Sequence, residues 1–124
     1  MKELTKRELN VLEILWELKQ GFVNDVIRKM HDPKPPYTTV SSIIRILETK
    51  GYVSHKTYGN TYEYKPIISM LRYKKFALTN LISKYFDGSL ENVVSFMVKE
   101  NELSDEEVNE ISELIDQYKK KGNE

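Results

Sequence analysis

The stretch Tyr37-Thr38-Thr39-Val40-Ser41-Ser42-Ile43-Ile44-Arg45-Ile46-Leu47-Glu48-Thr49-Lys50-Gly51 decides the fold. Val40, Ile43, Ile44 and Leu47 fall at i, i+3, i+4 and i+7, which is one face of an α-helix. At about 100° per residue, the other three lie within roughly 60° of Val40. Thr38, Ser42, Arg45 and Thr49 then point the opposite way, with Thr39, Ser41 and Glu48 on the shoulders. An ordinary solvated face would carry Glu and Lys, whereas this one carries small hydroxyls around one arginine. Such groups can approach base edges and phosphates closely, as a recognition helix must. The same pattern would also suit a plain amphipathic core helix, so the flanking residues have to choose.

Downstream of Gly51 the period changes. Tyr52 to Tyr58 and Thr61 to Tyr64 are rich in Tyr, Thr and Val, as strands are, and Gly59-Asn60 between them fits a two-residue type II′ turn. That turn sets Tyr58 opposite Thr61, Thr57 opposite Tyr62, Lys56 opposite Glu63 and His55 opposite Tyr64. Lys56 and Glu63 then form an opposite-charge cross-strand pair. Upstream, Thr5 and Glu8 make a capping box for a first helix whose apolar stripe is Leu9, Leu12, Leu15 and Trp16, broadened by Val11 and Leu18. Gly21 is expected to end it. Val26, Ile27 and Met30 mark a short second helix, and His31 is placed to meet its last carbonyls. Pro33, Pro35 and Pro36 stiffen the link to the central helix. Three helices followed by a strand–turn–strand ribbon is the winged helix-turn-helix plan, with the third helix in the major groove and the hairpin beside the phosphates.

Beyond Pro66 the chain turns helical again. Ser69 to Phe86 carries Leu71, Tyr73, Phe76, Leu78, Leu81 and Ile82 among its large apolar residues, too many for one narrow stripe. Ser89 can cap a short helix holding Val93, Val94, Ser95, Phe96 and Met97. Ser104 with Glu107 repeats the capping box, with Leu103 and Val108 as its hydrophobic staple. Val108, Ile111, Ile115 and Tyr118 then form a heptad seam, and Lys119, Lys120 and Lys121 complement the C-terminal dipole. Helices this apolar cannot bury their surface alone, so self-association through Leu71, Phe76, Leu81, Val93, Phe96, Leu103 and the seam is expected.

The expected fold is therefore mostly α with a small β-hairpin wing. Residues 1–68 form a winged helix-turn-helix DNA-binding domain, and residues 69–124 form a three-helix dimerisation domain.

Composition narrows the function classes. The 124 residues carry no net charge, yet residues 1–70 hold 11 Lys and Arg against 8 Asp and Glu, and residues 71–124 reverse that ratio. A basic front and an acidic back suggest a different partner for each. Without cysteine there is no disulfide framework, thiol catalysis or Cys-type metal site. His31 and His55 are the only imidazoles, and no Gly-rich phosphate loop is present, so neither an enzyme nor a cofactor or metal site suggests itself. No apolar run approaches membrane-spanning length and Met1-Lys2-Glu3-Leu4 lacks a signal-peptide core, so a cytoplasmic protein without direct membrane association is expected.

If the polar face reads DNA, then Thr38, Ser42, Arg45 and Thr49 face the groove, with Thr39 and Ser41 beside them. Lys50, Lys56, Tyr58 and Asn60 are candidates for phosphate contacts from the helix end and the wing. Arg45 is the leading candidate for base readout, since a guanidinium pairs bidentately with guanine O6 and N7. Two rival readings stand beside this one. They are a winged-helix regulator controlled by a small ligand, and a winged-helix protein-interaction module that binds no DNA.

The chain resembles the penicillinase-repressor (BlaI/MecI-type) family of bacterial winged-helix repressors along nearly its whole length. The resemblance rests on Leu4-Thr5 with Glu8, Ile14-Leu15-Trp16, the Tyr37–Leu47 run, Lys50-Gly51-Tyr52-Val53, His55-Lys56, Tyr62-Glu63-Tyr64 and Glu102-Leu103-Ser104-Asp105-Glu106-Glu107. It implies a homodimer that binds a near-palindromic double-stranded operator of β-lactamase or related resistance genes. It also implies inactivation by cleavage of the dimerisation domain, triggered by a membrane sensor-transducer metalloprotease. The matching bond here is Ser95–Phe96, with Ser where the best-known members have Asn. Copper-responsive relatives sense through a C-terminal cysteine motif, which a chain without cysteine does not have.

Overall fold

The structure, a computed structural model, describes residues 1–122, of which 121 and 122 are described by backbone only. The side chain of Lys121 and the last two residues of the expected second domain lie outside the described residues. Helices α1 (Lys6–Leu18), α2 (Val23–Arg28) and α3 (Tyr37–Thr49) lead into strands β1 (Val53–Tyr58) and β2 (Thr61–Pro66). Helices α4 (Met70–Phe86), α5 (Leu90–Lys99) and α6 (Asp105–Gly122) follow. The chain is mostly α with a small β-hairpin wing, and its first five elements are a winged helix-turn-helix. It divides into two compact units, Met1–Phe76 and a second beginning at Ala77.

The first unit holds the core. Val11, Leu12 and Leu15 of α1, Val26 of α2 and Val40, Ile44 and Leu47 of α3 have no exposed surface, and Ile43 keeps only 8%. The i, i+3, i+4, i+7 stripe of α3 is thus spent wholly inside. Both cap signals hold their geometry. Thr5 Oγ1 accepts from the Glu8 N–H and Glu8 Oε1 from the Thr5 N–H, each at 3.2 Å. At the far end of α3, Gly51 takes φ +88°, its N–H donates to the Glu48 carbonyl at 3.0 Å, and the Tyr52 N–H reaches back to the Leu47 carbonyl at 2.9 Å. This Schellman pair ends the helix and turns Tyr52 into the core, where it is fully buried.

Two local expectations are corrected. Helix α1 ends before Gly21. Lys19 takes the positive φ of 71°, and Gly21 instead exchanges backbone hydrogen bonds with Tyr64 at 2.9 and 2.8 Å. A Cβ at Gly21 would meet Cβ of Asp25 at 3.2 Å, so here glycine serves close approach rather than helix termination. The carbonyls ending α2 are taken not by His31 but by Lys34, whose Nζ donates to the carbonyls of Met30 and, at 3.3 Å, Arg28. A four-carbon stem following Pro33 can fold back over the helix end.

The hairpin pairs in the register set by its turn: Tyr58 with Thr61, Thr57 with Tyr62, Lys56 with Glu63 and His55 with Tyr64. Gly59 has φ +57° whereas Asn60 is not in the positive-φ region, the pattern of a type II′ turn. Tyr64 is 2% exposed and Val53 1%, so the base of the wing belongs to the core. The start of α4 does too. The Tyr73 ring lies 5.8 Å from that of Trp16 and 6.1 Å from that of Tyr52, while Trp16 Nε1 donates to the Ile68 carbonyl at 2.9 Å.

In the second unit, Ser89 caps α5 by accepting from the Asn92 N–H at 3.1 Å. Ser104 and Glu107 cap α6 reciprocally, at 3.1 Å each. Phe86 and Phe96 meet edge to face at 5.6 Å. Among the described residues none beyond Tyr64 is buried. No helix among them is long and apolar enough to cross a membrane.

Candidate nucleic-acid interface

Helix α3 presents the face its spacing predicts. Thr38, Ser42, Arg45 and Thr49 are exposed, while Thr39, Ser41 and Glu48 are half-buried at its edges. The arrangement follows from the stripe. With Val40, Ile43, Ile44 and Leu47 fixed inside, a 3.6-residue repeat leaves these positions no other direction. The Ser42 hydroxyl donates to the Thr38 carbonyl at 2.8 Å, which fixes its rotamer and leaves its oxygen outward as an acceptor. Arg45 makes no ion pair among the described residues, so its guanidinium remains available to an acceptor from outside.

The wing joins this face through one polar contact. His55 Nδ1 lies 2.7 and 2.9 Å from the two carboxylate oxygens of Glu48, the only acid on α3. The Tyr62 ring stacks on the imidazole at 4.2 Å, and Tyr64 closes the group from below at 5.8 Å. Burial raises the Tyr64 phenol above its usual pKa, and the Glu48 carboxylate adds to this while Arg45 opposes it. The wing base and the α3 surface are therefore electrostatic neighbours. Lys56, Tyr58 and Asn60 stand exposed on the hairpin, with Lys56 Nζ 5.3 Å from the centre of the Tyr58 ring.

Lys50 is drawn inward. Its ammonium sits 2.6 Å from Glu8 Oε1 and 3.0 Å from the Glu3 carbonyl, with only 23% of the side chain exposed. It ties the end of α3 to the start of α1. Glu8, 7% exposed, explains why. Burial pushes its carboxyl pKa up, but hydrogen bonds from Lys50 and Thr5 outweigh burial and hold it below its ordinary 4.5. A group with a depressed folded pKa stabilises the fold above its unfolded pKa and loses that contribution as pH falls through the folded value. Thermal stability should therefore drop on acidification below the ordinary carboxylate range. Lys50→Met should cost about 1–3 kcal/mol at neutral pH and flatten that acid loss. Melting curves of both proteins across pH check this.

Sequence reasoning missed Tyr37 and Tyr62, which line one shallow groove with Asn24 and Arg28 and are 49% and 42% exposed. It also missed the His55–Glu48 bracket, which joins residues from two elements, and Ile46, 43% exposed on α3. An aromatic in a hairpin reads first as strand packing, so only burial could have separated Tyr62 from Tyr64. Among the described residues no group of three or more metal-ligating side chains converges.

The expected self-association residues differ in exposure. Leu71, Leu81, Phe96, Ile111, Ile115 and Tyr118 are exposed, whereas Phe76, Val93, Leu103 and Val108 are half-buried. Ser95 is half-buried beside Phe96 in α5.

Comparison with known proteins gives a consistent picture. A family model described as penicillinase repressor matches residues 4–117. The penicillinase repressor of Bacillus licheniformis is 24% identical over 119 residues, covering 94% of this chain and 92% of its own. The methicillin resistance regulatory protein MecI of Staphylococcus aureus strain N315 is 24% identical over 114 residues, covering 91% and 93%. Among solved structures, an organohalide-sensing transcriptional regulator in its ligand-free form aligns over 95% of this chain, at 16% identity and a TM-score of 0.49. This chain spans 64% of that regulator's chain.

Proposed function

The chain belongs to the penicillinase repressor family, and on that premise we propose that it is a homodimeric repressor of a β-lactamase-type or other antibiotic-resistance gene. It binds a near-palindromic operator and is released by proteolysis within its C-terminal helices. The observation that carries the reading is the outward face of α3, three exposed hydroxyl side chains around an exposed Arg45, backed by a stripe with no more than 8% exposure. In this reading Thr38, Ser42, Arg45 and Thr49 enter the major groove, Thr39 and Ser41 flank them, and Lys56, Tyr58 and Asn60 reach phosphates from the wing.

Titrating duplex DNA into the protein at several salt concentrations tests this. Affinity should fall steeply and linearly with the logarithm of salt, as phosphate neutralisation requires, and a flat dependence would favour a protein-interaction module. Arg45→Ala should weaken specific binding by about 1–3 kcal/mol without lowering stability. Unchanged affinity would remove Arg45 from the interface.

The homodimer is supported by the absence of any buried residue in α4 or α5 and by the exposed Ile111, Ile115 and Tyr118 of the α6 seam. Each copy would bring its own recognition helix to one half-site. The proposed switch acts at Ser95–Phe96 through a membrane sensor-transducer metalloprotease. Opening α5 there would sever the second unit between α4 and the seam of α6. Mass spectrometry of the repressor from fully induced cells should find this cut; an intact chain under full derepression would refute the proteolytic switch.

A further inference from the structure

We propose that Ile46 reads sequence by packing against the 5-methyl group of a thymine in the major groove. This assignment rests on the DNA-binding reading above. The other four aliphatic residues of α3 are 0–8% exposed, but Ile46 is 43% exposed. It does not stand on the core side by periodicity. About 100° per residue from Val40 puts Ile46 near 240°, between Ser42 near 200° and Thr39 near 260°. It also lies one turn beyond Ser42 and three residues before Thr49, so it borders the polar face on a single strip of the helix surface.

Nothing local favours isoleucine at such a place. A β-branched side chain is a poorer helix former than Lys, Glu, Gln or Arg, and one that is 43% exposed gains only part of what burial offers. The position therefore makes physical sense if association covers it. The chemistry of its neighbours says what would. Hydroxyls and a guanidinium recognise the hydrogen-bonding edges of bases, while the thymine methyl is the one apolar feature in the groove. Ile46 is the only exposed side chain on the readout side of α3 made wholly of hydrocarbon. Position and chemistry together assign it the methyl.

The test uses the full chain and a duplex enriched by it from a random pool. Each thymine of that duplex is then replaced singly by uracil, which removes the methyl and leaves every hydrogen-bonding group in place. Wild-type affinity should fall by about fourfold at one thymine in each half-site, the effect of uncovering one methyl group. Ile46→Ala should bind the two duplexes equally at that position, and Ile46→Val should retain part of the difference. Because Ile46 is 43% exposed and Ile44 fully buried, Ile46→Ala should lower the melting temperature far less than Ile44→Ala, and all three proteins should be folded in the binding assay. If no thymine shows the loss, or if Ile46→Ala shows the same loss as wild type, the assignment is wrong while DNA binding stands. Failure to enrich any duplex overturns both.

Discussion

A chain ended after Phe76 should bind its operator about 10²–10⁴-fold more weakly than the intact protein, because the second half-site encounter would no longer be intramolecular. Its N-terminal unit should nevertheless stay folded. Every buried residue of the described chain lies at or before Tyr64, and ending at Phe76 keeps the Tyr73 ring against Trp16 and Tyr52. Fluorescence anisotropy on the full operator and on one half-site separates the outcomes. The truncated chain should bind both alike, whereas the intact chain should prefer the full site strongly. Sedimentation supplies the complementary measurement, since an intact chain that is monomeric at micromolar concentration would end the dimer proposal.

The second large effect concerns stability. Ile44→Ala should destabilise the N-terminal unit by about 2–5 kcal/mol, the cost of a lost side chain plus the cavity it leaves. Ile44 has no exposed surface and occupies the middle of the α3 stripe, between the buried Val40 and Leu47. Denaturant unfolding measures the loss directly. The contrast with Arg45→Ala is the sharper check, because of these two adjacent residues one is fully buried and the other exposed. One substitution should reduce stability, and the other should reduce affinity while leaving the melting curve in place. If both reduce stability alike, the facing of α3 is wrong.

What could be read from the chain alone was what neighbours in sequence decide. The stripe of α3, the Thr5–Glu8 and Ser104–Glu107 caps and the hairpin register depend on spacings of a few residues, and each appears in the structure at its expected place. What could not be read depends on partners far apart in the chain. Lys50 shows no partner among its sequence neighbours, because Glu8, which it meets, lies 42 residues earlier. Gly21 looks like a helix stop because the strand it pairs with, at Tyr64, is out of sight of any local pattern. Lys34 displaced His31 at the end of α2 because the turn around Pro33 decides which side chain folds back. Ile46 was concealed for a different reason, since an aliphatic residue in an amphipathic helix is read as core unless its angle is weighed against its neighbours.

The bracket between His55 and Glu48 bears on how the surface meets a duplex. An isolated two-stranded hairpin is marginally stable in water. This one is pinned near its base, by the Gly21–Tyr64 exchange on one strand and on the other by the imidazole–carboxylate contact of His55, the residue opposite Tyr64. The distance between helix and wing is thereby set before any DNA arrives, and little of the binding free energy goes into ordering the protein. A caliper with fixed jaws does not adapt to what it grips. Groove width and local bendability of the duplex then become part of what is selected, at base pairs that no side chain touches.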